Sequence, residues 1–286
     1  MIDVLIEKIK EKQNPTVVGL DPKIDYLPDF LKTGDTPQDI LHFNKALIDA
    51  LCDIVPAVKP QSAYYEMLGP KGAFVLYDTI SYAQEKGMYV ILDVKRNDIG
   101  ATATAYANAY IGEHAPYHVD GVTISPYLGS DGILPFVSCC ESYGKTAFVL
   151  VKTSNQSSGE LQDLLVDGMP LYEKVASYVH QWGLNSIGKY GYSAIGAVVG
   201  ATYPEQMVTL RKMLPHTYFL VPGYGAQGGG GKEAALAFRE DGLGAIVNSS
   251  RGIMCAWQKE NCDPKDFANA ARREAIRMRD DIVKHL

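Results

Sequence analysis

Short runs of apolar residues, many of them β-branched, recur along the chain. Each is followed by polar or glycine residues and then by a longer stretch with helical periodicity. Eight such runs are present, at residues 16–20, 57–59, 89–94, 121–124, 147–151, 194–199, 218–221 and 245–248. The runs are almost continuously apolar, which is typical of strands covered on both faces, and the segments between them are long enough for crossover helices. The pattern therefore predicts eight parallel strands alternating with helices.

The segment after the first run carries a signal for the start of a helix. Thr36 precedes Pro37, and Asp39 follows three residues after the threonine, which resembles a capping box with proline at the first helical position. We expect a helix to begin there, with one apolar face packed on the sheet. The residues of that face are Ile40, Phe43, Leu47 and Leu51. Similar stripes predict helices over residues 170–182 and 204–214.

The order of these elements favours one closed barrel. No composition shift, low-complexity tract or internal repeat divides the 286 residues, so we expect a single domain over residues 1–286. Eight strand–helix units in a chain somewhat longer than about 250 residues fit an α/β (β/α)8 TIM barrel better than an open doubly wound sheet. Catalytic residues of such a barrel lie at the carboxyl ends of its strands.

Composition narrows the class of protein. The chain has 27 basic and 33 acidic residues, and this acidic balance argues against a general affinity for nucleic acid. Its five cysteines form no C-x-x-C pair, which is typical of reduced cytosolic thiols. The charged N-terminal segment does not resemble a signal peptide, and no apolar run reaches the roughly 18 residues of a membrane span. We expect a cytoplasmic protein without nucleic-acid or membrane partners.

Charged residues follow the second and third predicted strands. Lys59 ends the second strand, and Asp93, Lys95 and Asp98 follow in order at the end of the third. Side chains alternate along a strand, so Asp93 and Lys95 share one face and are expected to point into the barrel mouth, where Lys59 meets them. Removing ions from water costs several kcal/mol each unless they are well paired, so four alternating charges at one mouth indicate a functional site rather than a structural one.

A glycine-rich segment follows the seventh strand. Residues 222–232 include six glycines, whose backbone is free to present N–H groups to an anion, and the Gln227 side chain supplies another donor. Arg251 follows the eighth strand and is suited to bind phosphate through two hydrogen bonds. The loops after strands seven and eight are the usual phosphate position in this fold. The sequence therefore predicts a phosphate ester as ligand.

The same segment also matches a dinucleotide-binding pattern. Gly223, Gly225 and Gly228 satisfy G-x-G-x-x-G. That pattern belongs to a βαβ unit in a nucleotide-binding half with several strands, whereas only one predicted strand remains downstream. We therefore favour the phosphate-binding interpretation.

Three motifs together resemble one enzyme family. They are D-x-K-x-x-D-I-G-x-T at residues 93–102, P-G-x-G-A-Q-G-G at 222–229 and S-R-G at 250–252. Their combination resembles orotidine 5′-phosphate decarboxylase. The V-K-T-S-N segment at 151–155, with the long inserts around it, looks like the larger bacterial (type 2) group of that family.

The resemblance implies roles for the charged residues. It implies that Lys59, Asp93, Lys95 and Asp98 form the alternating charge array beside the scissile carboxylate, and that Asp98 comes from the partner subunit of a homodimer. The same resemblance assigns the contacts with the rest of the nucleotide. Asp21 and Lys59 would bind the ribose hydroxyls, and Thr102 of the second subunit would also contact the ribose. Ser154 would contact the pyrimidine edge. Gln227 and Arg251 would bind the phosphate.

The activity implied by the resemblance is that of a carboxy-lyase. Orotidine 5′-phosphate would lose its carboxylate to give uridine 5′-phosphate, the final step of de novo pyrimidine (UMP) biosynthesis. Lys95 would stabilise and then protonate the carbanion at C6, with no metal or cofactor.

Two other functions remain open at this point. One is a Mg²⁺-dependent sugar-phosphate decarboxylase or aldolase of the same barrel superfamily, for which Glu66 is a loose candidate for the additional metal ligand. The other is a non-catalytic sensor of phosphorylated ligands, which would leave the charge array without a role.

Overall fold

Eight parallel strands close into a barrel in the computed structural model, which describes residues 1–225 and 229–286. Every neighbouring pair of barrel strands is parallel, and β8 pairs with β1 to complete the circle. The barrel strands are β1 Thr16–Leu20, β2 Ala57–Pro60, β3 Tyr89–Arg96, β4 Gly121–Ile124, β5 Thr146–Lys152, β6 Ile195–Val199, β7 Phe219–Val221 and β8 Ala245–Ser249. The predicted TIM barrel is confirmed, and each strand lies within two residues of its predicted position.

Helices surround the barrel and connect its strands. They are α1 Ile2–Lys12, α2 Thr36–Leu51, α3 Ser62–Glu66, α4 Pro70–Glu85, α5 Gly100–Ile111, α6 Ser130–Tyr143, α7 Gly159–Gln162, α8 Leu171–Gly183, α9 Pro204–Met213, α10 Gly231–Ala235, α11 Arg251–Met254, α12 Ala256–Glu260 and α13 Phe267–Val283. A two-stranded antiparallel hairpin, Leu165–Val166 with Met169–Pro170, lies in the connection after β5. Across the described ranges, no helix combines the length and apolar character needed to cross a bilayer.

Helix α2 begins where the sequence predicted, but the capping box was wrong. The N-cap is Asp35 rather than Thr36. The Asp39 carboxylate accepts hydrogen bonds from the backbone N–H and the hydroxyl of Thr33, at 3.0 and 2.6 Å, instead of closing onto Thr36. The preceding loop folds back and offers this carboxylate two donors, which outcompete the local motif. The predicted apolar face of α2 is buried throughout, as expected.

Two groups of apolar side chains form the core. The larger one lies between the strands and the surrounding helices, and it includes Leu92 and Val94 of β3. The smaller one combines inward-facing strand residues such as Phe148 with the apolar face of α1. Helix α1 therefore packs against the interior layer of the barrel, while the carboxyl ends of the strands form the opposite mouth.

Two barrel strands are irregular at that mouth. The register between β3 and β4 shifts between Leu92 and Arg96. The register between β5 and β6 shifts between Leu150 and Lys152. Bulges of this kind redirect side chains at barrel rims and are frequent beside active sites. Here they occur at the segments that carry Lys95 and Lys152.

Candidate active site

An ionic cluster occupies the centre of the barrel mouth. Lys59 Nζ lies 2.6 Å from Asp93 Oδ2, and Lys95 Nζ lies 2.6 Å from Asp93 Oδ1. Lys59 and Asp93 are buried, whereas 45% of the Lys95 side chain is exposed. Asp93 therefore holds one ammonium on each oxygen, and the Lys95 side chain is the more exposed of the two.

Burial and charge act in opposite directions on this cluster. Burial alone would raise the pKa of the Asp93 carboxyl, but the charges of Lys59 and Lys95 hold that pKa well below its usual value. Burial alone would lower the pKa of the Lys59 ammonium, but Asp93 and then Asp21 raise it above its usual value. Asp93 and Lys59 are thus both charged at neutral pH, as a preorganised electrostatic site requires.

Asp98 and Thr102 lie away from this cluster in the single chain. The Asp98 carboxylate accepts a hydrogen bond from the N–H of Ile99 at 2.8 Å. Ile99 is 53% exposed, and Thr102 is exposed in the first turn of α5. Within the described ranges, neither Asp98 nor Thr102 lines the cavities of the mouth. The structure therefore brings Lys59, Asp93 and Lys95 together but does not add Asp98.

A cavity of about 390 Å³ extends from the cluster toward the end of β8. Its lining includes Asp21, Lys59, Asp93, Ser250 and Arg251. The Oδ1 atom of Asp21 is buried and has no hydrogen-bond partner among the described residues, so it is an acceptor available to a ligand hydroxyl. The exposed Arg251 side chain gives this end of the cavity a positive charge.

A glycine allows the β8 loop to approach β1. A Cβ atom at Gly19 would lie only 1.9 Å from Ser250 Oγ, so any larger residue there would displace the loop that carries Arg251. This contact fixes the end of the cavity where the sequence predicts phosphate binding.

The glycine-rich segment after β7 has fewer backbone N–H groups free for an anion than the sequence suggested. Gly225 N–H donates to the Gly229 carbonyl, Gly230 N–H to Glu233, and Gly231 N–H to Asp281. These three groups are thus already bound within the protein and do not face an anion. Gln227, the other predicted phosphate ligand of this segment, lies outside the described residues.

A second cavity of about 420 Å³ lies on the other side of the cluster. Lys59, Asp93 and Pro222 line both cavities, so the ionic cluster stands where the two meet. Ser154 lines the second one, and Gly200 permits its close approach because a Cβ there would lie 2.8 Å from the serine Cβ. Arg251 and Ser154, predicted to contact the phosphate and the pyrimidine, therefore line two adjoining cavities.

Sequence reasoning missed the residues that support this second cavity. Gln162 and Thr153 exchange two hydrogen bonds across the loop that carries Ser154. Beside them, the fully buried Lys152 pairs with Asp163 at 2.6 Å. Thr123 of β4 bonds directly to Asp93 at 2.8 Å. A polar residue between Val122 and Ile124 was the available signal for Thr123, since alternation turns it inward.

Glu66, the loose candidate for an additional metal ligand, points elsewhere. Its carboxylate pairs with Arg96 at 2.9 Å, and Arg96 also donates to the hydroxyl of Tyr110. These residues border a separate cavity between the barrel and its helices. Glu66 is therefore engaged in an ion pair outside the two cavities that meet at Asp93.

The fold and the site define the class of protein. A closed parallel barrel with a charged cluster and an arginine-bordered cavity at the carboxyl ends of its strands is typical of TIM-barrel enzymes that act on small anionic ligands. The family model described as orotidine 5′-phosphate decarboxylase / HUMPS family matches residues 17–261. The chain belongs to this family.

Similarity to individual proteins extends over nearly the whole chain. The chain is 45% identical to the orotidine 5′-phosphate decarboxylase of Rhodopirellula baltica, over 93% of each chain. A crystal structure from Streptomyces avermitilis superposes with a TM-score of 0.83 at 30% identity, covering 98% of this chain and 95% of the other. The Leishmania donovani UMP synthase gives a TM-score of 0.78 at 36% identity, and the match covers 98% of this chain but 56% of that one.

Proposed function

We propose that this protein decarboxylates orotidine 5′-phosphate to uridine 5′-phosphate, the final step of UMP biosynthesis, without a metal or cofactor. The observation that carries the proposal is the Lys59–Asp93–Lys95 cluster at the junction of two cavities, with Lys95 accessible. Family membership and the name of the Rhodopirellula baltica relative support the same reaction.

The reaction needs a stabilised carbanion. The bond between C6 and the carboxylate carbon breaks, its electron pair remains on C6, and carbon dioxide leaves. The Lys95 ammonium, held by Asp93 at 2.6 Å, stabilises the developing charge and then donates a proton to C6. Lys95 then regains a proton from bulk solvent, so the net reaction takes up one proton for each carbon dioxide released. Asp93, close to the departing carboxylate, orients Lys95 and repels the substrate carboxylate.

The two cavities orient the nucleotide. Arg251 binds the 5′-phosphate at the end near β8, and Gln227 is the second phosphate ligand in this proposal. Asp21 accepts hydrogen bonds from the ribose hydroxyls, and Lys59 donates a hydrogen bond to them. Ser154 contacts the pyrimidine edge in the second cavity. Contacts with the distant phosphate supply binding free energy that holds C6 against Lys95.

A homodimer completes the site in this proposal. Asp98 and Thr102 from one subunit enter the mouth of its partner, where Asp98 extends the charge array and Thr102 contacts the ribose. Two observations support this arrangement: the exposed apolar side chain of Ile99 adjoins Asp98, and within the described chain Asp98 lies outside its own cavities.

Subunit complementation tests the dimer. We expect the Lys95→Ala and Asp98→Ala variants each to be inactive as homodimers, whereas a mixed dimer has one site with both residues intact. After unfolding and refolding an equal mixture, about 25% of wild-type activity is expected, because half of the dimers are mixed and each has one native site of two. No recovery would show that Asp98 acts within its own subunit, and full activity of Asp98→Ala alone would show that it has no role.

Product analysis tests the reaction itself. Purified protein is incubated with orotidine 5′-phosphate, and the fall in its absorbance is compared with uridine 5′-phosphate and carbon dioxide formed. We expect equal amounts of both products. Turnover of a sugar phosphate instead, dependent on Mg²⁺, would contradict the proposal and favour the alternative enzyme class.

The compartment belongs to the same proposal. We place the reaction in the cytoplasm. The five cysteines are all free thiols in the structure, which supports a reducing environment.

A further inference from the structure

Strand β4 contributes one side chain, Thr123, to the ionic cluster. Its hydroxyl donates to Asp93 Oδ1 at 2.8 Å and accepts from the backbone N–H of Lys95 at 3.0 Å. The directions are fixed, because an ionised carboxylate can only accept. Thr123 is 1% exposed, so water does not compete readily for either bond.

The same hydroxyl lies at an irregular point of strand β3. Leu92 pairs with Val122 and Arg96 with Ile124, so three residues of β3 face Thr123 alone. Within this bulge Lys95 has a φ of +45°, in the left-handed region that side chains other than glycine rarely adopt. A residue in such a conformation persists only when its surroundings hold it there. The Thr123 hydroxyl binds the N–H of that residue.

We propose that Thr123 is a positioning residue, whose hydroxyl holds the β3 bulge so that the Lys95 ammonium and the Asp93 carboxylate keep the relative placement needed for catalysis. One hydroxyl ties the backbone of Lys95 to the side chain of Asp93, and Lys95 Nζ bonds to the same Asp93 oxygen. This inference rests on the proposed decarboxylation. It gives β4, a strand without any sequence-predicted site residue, a role in the reaction.

Substitutions separate the hydroxyl from the volume of the side chain. Thr123→Val keeps the shape but leaves the Lys95 N–H without this acceptor and Asp93 with one donor fewer. Thr123→Ser keeps the hydroxyl and loses a methyl group. Thr146→Val is the matched control, since Thr146 is a buried threonine of β5 whose hydroxyl bonds to Tyr89 at 2.9 Å in the interior layer of the barrel.

Steady-state kinetics with orotidine 5′-phosphate, and binding of uridine 5′-phosphate, test the proposal. For Thr123→Val we expect kcat to fall about 10- to 100-fold, the range for loss of a hydrogen bond to a charged group, while KM and product affinity stay within about threefold. Thr123→Ser should recover most of the kcat, and Thr146→Val should remain close to wild type. If the valine variant does not fold, Thr123→Ser and Thr123→Ala isolate the same hydroxyl.

Several results would overturn the inference: wild-type kcat in Thr123→Val, a serine variant no better than valine, or an equal loss in Thr146→Val. Crystal structures of wild type and Thr123→Val provide a test that does not depend on turnover. In the variant, we expect the Lys95 backbone to leave the left-handed region or Lys95 Nζ to move away from Asp93 Oδ1. An unchanged bulge would refute the positioning role of Thr123. Failure of the wild-type protein to turn over orotidine 5′-phosphate would instead refute the proposed function.

Discussion

Lys95 Nζ lies 2.6 Å from Oδ1 of Asp93, on a strand bulge that places both side chains at the barrel mouth. Lys59 occupies the other oxygen of the same carboxylate. Asp93 therefore holds one cation on each oxygen, and the side chain of Lys95 is the more exposed of the two. This asymmetry suits a site in which one lysine reacts and the other fixes the carboxylate.

The pH dependence of stability should report the Asp93 ion pairs. The folded pKa of Asp93 is lowered, so its contribution to the free energy of unfolding is present above the unfolded value of about 3.9 and is lost as pH falls through the lower folded value. Asp93→Asn should cost about 3 kcal/mol at pH 7, because Lys59 loses its partner while buried. Urea unfolding of both proteins between pH 7 and pH 3 measures the difference, which should shrink toward acid. A difference that grows toward acid would contradict this account.

Removal of Arg251 should mainly weaken substrate capture. Arg251 lines the cavity and, in the proposed binding mode, its guanidinium holds the phosphate rather than the reacting carbon, so Arg251→Ala should raise KM about 10- to 100-fold with a smaller effect on kcat. Arg279→Ala is the control, since Arg279 pairs with its neighbour Asp280 on helix α13. A collapse of kcat at saturating substrate with unchanged product affinity would show that Arg251 acts on the chemical step.

A methyl group at Gly19 should disturb the same end of the site indirectly. The added Cβ would lie 1.9 Å from Ser250 Oγ and 2.8 Å from its Cβ, so Gly19→Ala must displace the loop that carries Arg251. We expect a loss of about 1–3 kcal/mol in stability and a rise in KM. Adding Ser250→Gly removes both clashing atoms and should restore part of each. Equal KM values in Gly19→Ala and wild type would contradict the role of this contact.

The Lys152–Asp163 pair predicts an asymmetry between two substitutions. Lys152 is fully buried between the rings of Tyr172 and Tyr203, whereas 45% of the Asp163 side chain is exposed. Asp163→Asn leaves a buried charge without its carboxylate and should destabilise the protein by about 2–4 kcal/mol. Lys152→Met leaves a carboxylate that water can solvate, so it should cost less. Urea unfolding measures the free energy of unfolding of both variants. A larger loss of stability for Lys152→Met than for Asp163→Asn would refute the argument.

The strands were predictable because parallel barrel strands are buried on both faces. A continuous apolar run of only a few residues, such as 195–199, is typical of a strand that is covered on both faces. The hairpin at Leu165–Val166 and Met169–Pro170 was not predicted, because its strands are two residues long and mostly exposed. The capping motif at Thr36 failed because Thr33, in the preceding loop, offers Asp39 better donors.

The candidate site was predictable only in part. Alternation along β3 predicted Asp93 and Lys95 on one face, and in the structure the Asp93 carboxylate contacts both Lys95 and Lys59. The bulge at Lys95 depends on the hydroxyl of Thr123, which is 28 residues away in the chain, so no local sequence pattern could predict it. Two backbone N–H groups of the glycine segment, expected to be free for an anion, donate instead to Glu233 and Asp281. The contact with Asp281 forms only in the folded chain.

The central claim is that the Lys95 ammonium stabilises and protonates the C6 carbanion without a metal. It is tested most directly by the turnover of orotidine 5′-phosphate by chelator-treated wild type and Lys95→Ala, measured beside their affinity for uridine 5′-phosphate. We predict that EDTA leaves the wild-type rate unchanged and that Lys95→Ala loses at least about 1,000-fold in kcat while product affinity is largely kept. Near-wild-type turnover by Lys95→Ala, or wild-type activity that EDTA abolishes and Mg²⁺ restores, would contradict the account.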